Sequence, residues 1–290
     1  MLKQIIFSLR PKQWSKNMII FAGLIFSQNL LNANYFFQSL VAFVIFCLLS
    51  GAVYIINDIA DREQDRKHPV KSKRPIAAGK LKVNQALTAS IIIVIVTLAC
   101  AGFLSFKFSL VALSYFLLML AYSFFLKKVV ILDVLVVATG FALRALAGTV
   151  AISVGISVWL FLCAILLALF LAISKRRQEL ILFEDNAVSH RIVLGEYSKP
   201  LLDQMISIVT AATIIAYSIY TISPETVTKF HSKNLVLTIP FVLYGIFRYL
   251  YLIYQKQLGG NPERILLEDK GIIICIIAWL VSIGIIIYIR

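Results

Sequence analysis

The chain has 290 residues, of which 60% are hydrophobic and only 14% charged, with a mean hydropathy of +0.90. Soluble domains run at about 45–50% apolar and about 25% charged, so this composition excludes a soluble enzyme, a secreted disulfide scaffold and a disordered chain, and leaves a polytopic membrane protein. Lys and Arg number 28 against 14 Asp and Glu, a net charge of +14, which in such a protein reads as retention of basic loops in the cytoplasm and not as a nucleic-acid footprint.

The apolar runs are long and continuous, which predicts an all-α protein and not a barrel of short alternating strands. Residues 1–16 begin apolar, but Arg10, Pro11, Lys12 and Lys16 cut the run short and no small-residue cleavage site follows. They read as a retained cytoplasmic lead-in. Nine transmembrane helices are predicted, over 17–33, 36–60, 84–105, 108–126, 131–151, 156–173, 201–221, 234–255 and 271–289. The first is interrupted by Gln28 and Asn29. Together they make one integral membrane catalytic domain, 1–290, with larger cytoplasmic loops at about 61–83 and 174–200. With the N-terminus cytoplasmic, 22 of the 28 basic residues fall on the cytoplasmic side and four, Lys107, Lys229, Lys233 and Arg290, outside. That asymmetry predicts insertion in the plasma membrane with the C-terminus outside. Acids contribute little to orientation, yet all but Glu225 lie at or near the cytoplasmic ends, which puts the polar chemistry on that face. Cys47, Cys100, Cys163 and Cys275 sit inside apolar runs without CxxC spacing and read as small core residues.

The run Asn57-Asp58-Ile59-Ala60-Asp61-Arg62-Glu63-Gln64-Asp65 closes the second predicted helix. Asp58, Asp61 and Asp65 are spaced three and four apart and share one helical face. Three like charges at a membrane helix end need a compensating cation, and carboxylates so spaced suit Mg²⁺ shared with substrate phosphates. The competing expectation is a solvated helix end paired with Arg62, Arg66 and Lys67. Basic residues follow at Lys71, Lys73 and Arg74, then at Lys127 and Lys128 beyond Tyr122, and at Lys175-Arg176-Arg177 with Glu179 close behind. Acids that hold a metal and bases that neutralise phosphate oxygens point to diphosphate chemistry. Asp133 and Arg144 lie eleven residues apart on one face of the fifth predicted helix, about 16 Å apart in rise. An Arg at that depth is expensive and marks either a binding group, or an internal ion pair or helix-capping contact. The three histidines, His68, His190 and His231, lie outside the spans, and no Ser/His/Asp, Cys/His, HExxH or Walker pattern is present.

The NDxxDxxxD run within nine apolar helices resembles the UbiA superfamily of intramembrane prenyltransferases over essentially the whole chain. Three segments resemble its decaprenyl-phosphate phosphoribosyltransferase branch in particular: Arg10-Pro11-Lys12-Gln13-Trp14-Ser15-Lys16-Asn17, then His68-Pro69 with Lys73-Arg74-Pro75-Ile76-Ala77-Ala78-Gly79, and Ser174-Lys175-Arg176-Arg177-Gln178-Glu179. The resemblance implies a UbiA-like bundle and a Mg²⁺-dependent transfer of 5-phosphoribosyl from 5-phosphoribosyl diphosphate to a polyprenyl phosphate. It implies Asp58, Asp61 and Asp65 as catalytic metal ligands. It also implies Lys12, Lys16, Asn57, Lys73, Arg74, Tyr122, Lys128, Arg144, Lys175, Arg176 and Glu179 as substrate or phosphate contacts. The acceptor oxygen is already ionised, which fits the lack of a histidine base. Aromatic prenyltransferases of the superfamily carry a second aspartate-rich motif after the sixth helix; here Glu179, Glu184 and Asp185 lack its spacing. Prenyl transfer to an aromatic or other small acceptor is the alternative enzyme reading. A transporter of polyprenyl phosphates or ions is the non-enzymatic one, without the repeated broken helices that it should show.

Overall fold

A computed structural model describes all residues except Pro69, 184–191, 259–261 and Arg290. The chain divides into two compact units, Met1–Gly155 and Ile156–Arg290. Among the described residues, eight helices are long and apolar enough to cross a membrane, so the protein is integral to a membrane.

The first unit holds α1 (Leu2–Ser8), a 3-10 helix over Pro11–Ile20, α2 (Phe21–Phe26), α3 (Ala33–Ala60), α4 (Arg62–Lys67), α5 (Val83–Leu104), α6 (Phe106–Phe124) and α7 (Leu132–Ala151). Of the apolar windows of α3 and α7, 61% is buried, against 17% and 22% for α5 and α6. The chemistry-bearing helices are therefore the central ones, and α5 and α6 are largely turned outward. Small residues let the N-terminal segment lie close to them. A Cβ at Gly148 of α7 would fall 2.0 Å from the Ile20 carbonyl oxygen, and one at Gly51 of α3 would fall 2.6 Å from Leu9. Ile20, Phe46, Phe108, Tyr115 and Ala147 fill the core between α3, α6 and α7.

The segment expected as a first long helix, 17–33, differs from that expectation. It is the end of the Pro11–Ile20 3-10 helix followed by α2, and it stops at Phe26. At about 2.0 Å per residue in the 3-10 part and about 1.5 Å in the α part, residues 11–26 still extend about 29 Å. The stop is a Schellman cap: the Asn29 amide donates to the Leu24 carbonyl and the Gln28 amide to that of Ile25, with Gln28 left-handed at φ 62. Asn32 then opens α3 by accepting from the Asn34 and Tyr35 amides. A left-handed non-glycine residue is strained by about 1–2 kcal/mol. Gln28→Gly is therefore expected to raise the thermal midpoint in detergent by a few degrees; an unchanged or lower midpoint would mean that Gln28 makes compensating contacts.

The second unit holds α8 (Val158–Phe183), α9 (Lys199–Ile222), α10 (Pro224–Phe230), α11 (Ile239–Tyr254), α12 (Pro262–Glu268) and α13 (Lys270–Tyr288). The loop expected from residue 174 is not a loop at its start, because α8 continues through Phe183. Lys175 to Glu179 are good helix formers, and the extra turns are tied down: Arg176 pairs with Glu179, Arg177 with Asp203 of α9, and Gln178 Nε2 donates to the Gln257 carbonyl at 2.6 Å. Deeper in the unit, Trp279 Nε1 donates to Tyr217 Oη at 2.9 Å, and Tyr217 shares a 2.6 Å hydrogen bond with Thr238.

Candidate active site at the C-terminal end of helix α3

Helix α3 closes at Ala60, but its hydrogen bonding runs on. The Asp61 amide donates to the Asn57 carbonyl and the Asp65 amide to that of Asp61. The three aspartates therefore keep the spacing of one helical face. Asp58 and Asp65 are buried, and Asp61 is half-buried. Burial of like charges at this density demands cations, and three are present. Arg10 and Arg74 both pair with Asp58 Oδ1, Arg74 at 2.9 Å; the same Arg74 Nη1 reaches Asp65 Oδ2 at 2.6 Å. Lys127 Nζ lies 2.5 Å from Asp61 Oδ1 and 3.3 Å from Asn57 Oδ1, while Asn57 Nδ2 donates to Asp61 Oδ2 at 3.1 Å.

Each cation is delivered by local backbone structure. Arg10 precedes Pro11, which starts the 3-10 helix, and is itself left-handed at φ 52; its guanidinium also covers the Tyr54 ring at 4.7 Å. Arg74 precedes a tight turn in which the Ala78 amide donates to the Arg74 carbonyl and Gly79 takes φ +73, a conformation suited to glycine. Ile76 anchors that turn in a core with Leu9, Ile55 and Leu81. Lys127 sits in a 3-10 turn, Leu126–Lys128, after α6.

Of the positions expected from sequence, the structure brings together Asn57, Asp58, Asp61, Asp65 and Arg74. Lys12, Lys73 and Lys128 are exposed, and Lys16 and Tyr122 half-buried; the cations on the acids are Arg10, Arg74 and Lys127 instead. Arg10 was visible in the Arg-Pro-Lys-Gln-Trp segment without being singled out. Between Lys127 and Lys128 the sequence gives no choice, but a 3-10 turn points successive side chains about 120° apart, so one of the two faces Asp61. Arg144 is buried away from the acids on α7, where its Nε donates to Asn17 Oδ1 at 2.7 Å and its Nη2 to Tyr115 Oη at 2.6 Å. No carboxylate pairs with it among the described residues, which removes the internal ion-pair expectation.

A helical membrane unit whose central helix ends in NDxxDxxxD can be compared with known proteins. The UbiA prenyltransferase family profile matches residues 17–259. The chain belongs to the UbiA prenyltransferase family. It is 32% identical to a decaprenyl-phosphate phosphoribosyltransferase of Mycolicibacterium smegmatis over 97% of this chain and 91% of that one, and 31% identical to one of Corynebacterium glutamicum over 97% and 86%. The fold matches a UbiA homologue from Archaeoglobus fulgidus bound to GPP and Mg²⁺, with TM-score 0.73, 19% identity and coverage of 99% and 100%.

In this UbiA chain the second unit carries the other expected group. Lys175 is half-buried, whereas Arg176 and Arg177 are buried. Arg176 is held by Glu179. Arg177 is locked to Asp203, which also accepts from Tyr254 Oη at 2.9 Å, and it covers the Tyr254 ring at 4.1 Å. Glu184 and Asp185 lie outside the described residues.

Proposed function

We propose that this UbiA-family transferase moves the 5-phosphoribosyl group of 5-phosphoribosyl diphosphate to the phosphate of a polyprenyl phosphate, with Mg²⁺, at the cytoplasmic membrane face. The observation that carries the reading is the α3 end, where three aspartates are matched by three cations. Relatives named decaprenyl-phosphate phosphoribosyltransferase along nearly the whole chain supply the donor and acceptor. The excess of basic residues on the same side supports a cytoplasmic site and an N-terminus facing that way.

The donor set fits Mg²⁺. All its atoms are hard carboxylate or amide oxygens, and Mg²⁺ takes one or two carboxylates and completes its shell with water and substrate phosphates. Among the described residues no three acids converge on one point, which that habit does not require. Asp58, Asp61 and Asn57 would hold the ion, with Asp65 supporting through Arg74. When bound, the metal would neutralise charge on the leaving diphosphate. The protein's own groups do the rest. Arg10, Arg74 and Lys127 stand against the carboxylates, and with the ion bound they would turn to phosphate oxygens without leaving a charge unmatched. The acceptor phosphate oxygen attacks C1 of the ribose as the C1–O bond to diphosphate breaks. Both units are assigned to one catalytic domain.

The test offers purified protein two donor–acceptor pairs. 5-Phosphoribosyl diphosphate with a polyprenyl phosphate is expected to give a lipid-linked, acid-labile ribosyl product. Product from geranyl diphosphate and an aromatic acid instead would overturn the reading. On sequence resemblance, Lys175 is assigned to substrate phosphate. Lys175→Gln is expected to raise KM for 5-phosphoribosyl diphosphate several-fold with orientation unchanged, and unaltered kinetics would return it to a topological role. Arg176→Gln removes the cation paired with Glu179 and is expected to act first on thermal stability.

A further inference from the structure

The last turns of α8 divide their polar residues between two opposite faces. At about 100° of rotation per residue, Lys175 and Glu179 lie within about 40° of each other, and Ser174, Arg177 and Gln178 fill the opposite arc. Burial follows the same division. Lys175 and Glu179 are half-buried, whereas Arg177 is 5% and Gln178 1% exposed.

The buried face is held from two other elements. Arg177 Nε donates to Asp203 Oδ1 of α9, and the same oxygen accepts from Tyr254 Oη of α11 at 2.9 Å. The Tyr254 ring also lies 4.1 Å from the Arg177 guanidinium, so ring and hydroxyl both serve the pair. One residue on, Gln178 Nε2 donates to the Gln257 carbonyl at 2.6 Å. A left-handed turn after α11 presents that carbonyl: Gln257 has φ 53, and the Leu258 amide donates back to the Leu252 carbonyl at 3.1 Å. Gln178 Oε1 is buried without a hydrogen-bond partner among the described residues. Burying that oxygen is a cost, and the tether through Nε2 is what the side chain supplies. A buried Arg that needed only a countercharge could take it from its own helix, as Arg176 does from Glu179. Arg177 instead takes it from α9, 26 residues on. Two tethers on successive residues, which point about 100° apart, fix the rotation of the helix end as well as its position.

We infer that Asp203, braced by Tyr254, is a positioning residue for the transfer: through Arg177 it sets the rotational phase of the α8 end and so presents Lys175 and Glu179 on the face opposite the tethers. Phase matters because a roll of about 100°, one residue's worth, puts Ser174 or Arg176 where Lys175 stood. A small misplacement of a group that holds substrate is costly to the reaction even when the group itself is intact. The inference rests on the function proposed above and on the assignment of Lys175 to substrate phosphate. Asp203 and Tyr254 act through Arg177 and touch no substrate.

The test is a double-mutant cycle between Asp203 and Lys175. Asp203→Asn keeps the volume and removes the charge on Arg177. The measurements are kcat, KM for 5-phosphoribosyl diphosphate at saturating Mg²⁺ and polyprenyl phosphate, and the thermal midpoint, in Asp203→Asn, Lys175→Gln and the double variant. Asp203→Asn is expected to raise KM for the donor fivefold or more with kcat within twofold. Because Asp203 acts through the placement of Lys175, the double variant is expected to stay within twofold of the larger single effect. A residue that only stabilises the fold predicts a lower midpoint with KM unchanged, and that result overturns the inference. So do single effects on KM that multiply in the double variant. Should Asp203→Asn not fold, Tyr254→Phe, which keeps the ring and removes one hydrogen bond to Asp203, takes its place in the cycle. A donor KM raised twofold or more alone, and not further raised beside Lys175→Gln, supports the inference; equal effects in both backgrounds, or none in either, contradict it. A wild-type protein that transfers no phosphoribosyl group refutes the function itself, whereas normal transfer with independent or absent effects refutes this inference alone.

Discussion

Asp58→Asn and Asp61→Asn are each expected to lower kcat/KM for phosphoribosyl transfer by about a hundredfold or more, roughly 2.7 kcal/mol of transition-state stabilisation. Asn keeps the volume and removes the charge that holds a hard cation. The structure separates the two variants by stability. Asp58 is 2% exposed and takes both Arg10 and Arg74, so its loss takes the paired carboxylate from Arg10 and leaves Arg74 with Asp65 alone. Breaking a buried pair of this kind costs about 3–5 kcal/mol. Asp61, 25% exposed in its side chain, takes Lys127 and Asn57, and its replacement is expected to shift the thermal midpoint little. Kinetics against Mg²⁺ concentration, with thermal unfolding alongside, check both parts. Activity near wild type at saturating Mg²⁺ in both variants would remove the aspartates from the metal site.

The adjacent lysines give the second large effect. Lys127→Gln is expected to reduce kcat/KM by about thirtyfold, near 2 kcal/mol, because a charge that bridges Asp61 and Asn57 is positioned to pass to the diphosphate. Lys128→Gln, at an exposed position one residue on, is expected to stay within twofold. The pair is its own control, since both substitutions remove the same charge from the same turn and leave long-range electrostatics nearly equal. Equal losses would mean that the turn acts through net charge, and the reverse ranking would mean that it is rotated during the reaction.

Which features the sequence could reveal follows from the range of the interactions involved. The 58/61/65 spacing is local, so helix periodicity alone put the aspartates on one face. The apolar runs likewise define seven long helices within a few residues, and an eighth, α8, whose start they place but whose end they set ten residues early. Arg10 lies 48 positions from Asp58, and Lys127 lies 66 from Asp61; no periodicity links such partners. The end of α8 was misread because a basic run looks like a loop when its acids are unseen, and Arg177 finds Asp203 only in the folded unit. Gln28 and Asn29 were legible as an interruption, but not as a Schellman cap, because the left-handed turn there uses Gln in place of Gly. Arg144 is expensive on sequence grounds; that its partners among the described residues are neutral required coordinates.

The measurement that bears most directly on the proposed chemistry follows two labels in one turnover. 5-Phosphoribosyl diphosphate carrying ¹⁴C in the ribose and ³²P in the β-phosphate is incubated with wild-type protein, Mg²⁺ and a polyprenyl phosphate, then partitioned between water and organic solvent. Attack at C1 with loss of diphosphate predicts that ¹⁴C enters the lipid phase while ³²P stays in water as inorganic diphosphate, in equal amounts. Both labels in the lipid, or both left in water, would contradict phosphoribosyl transfer.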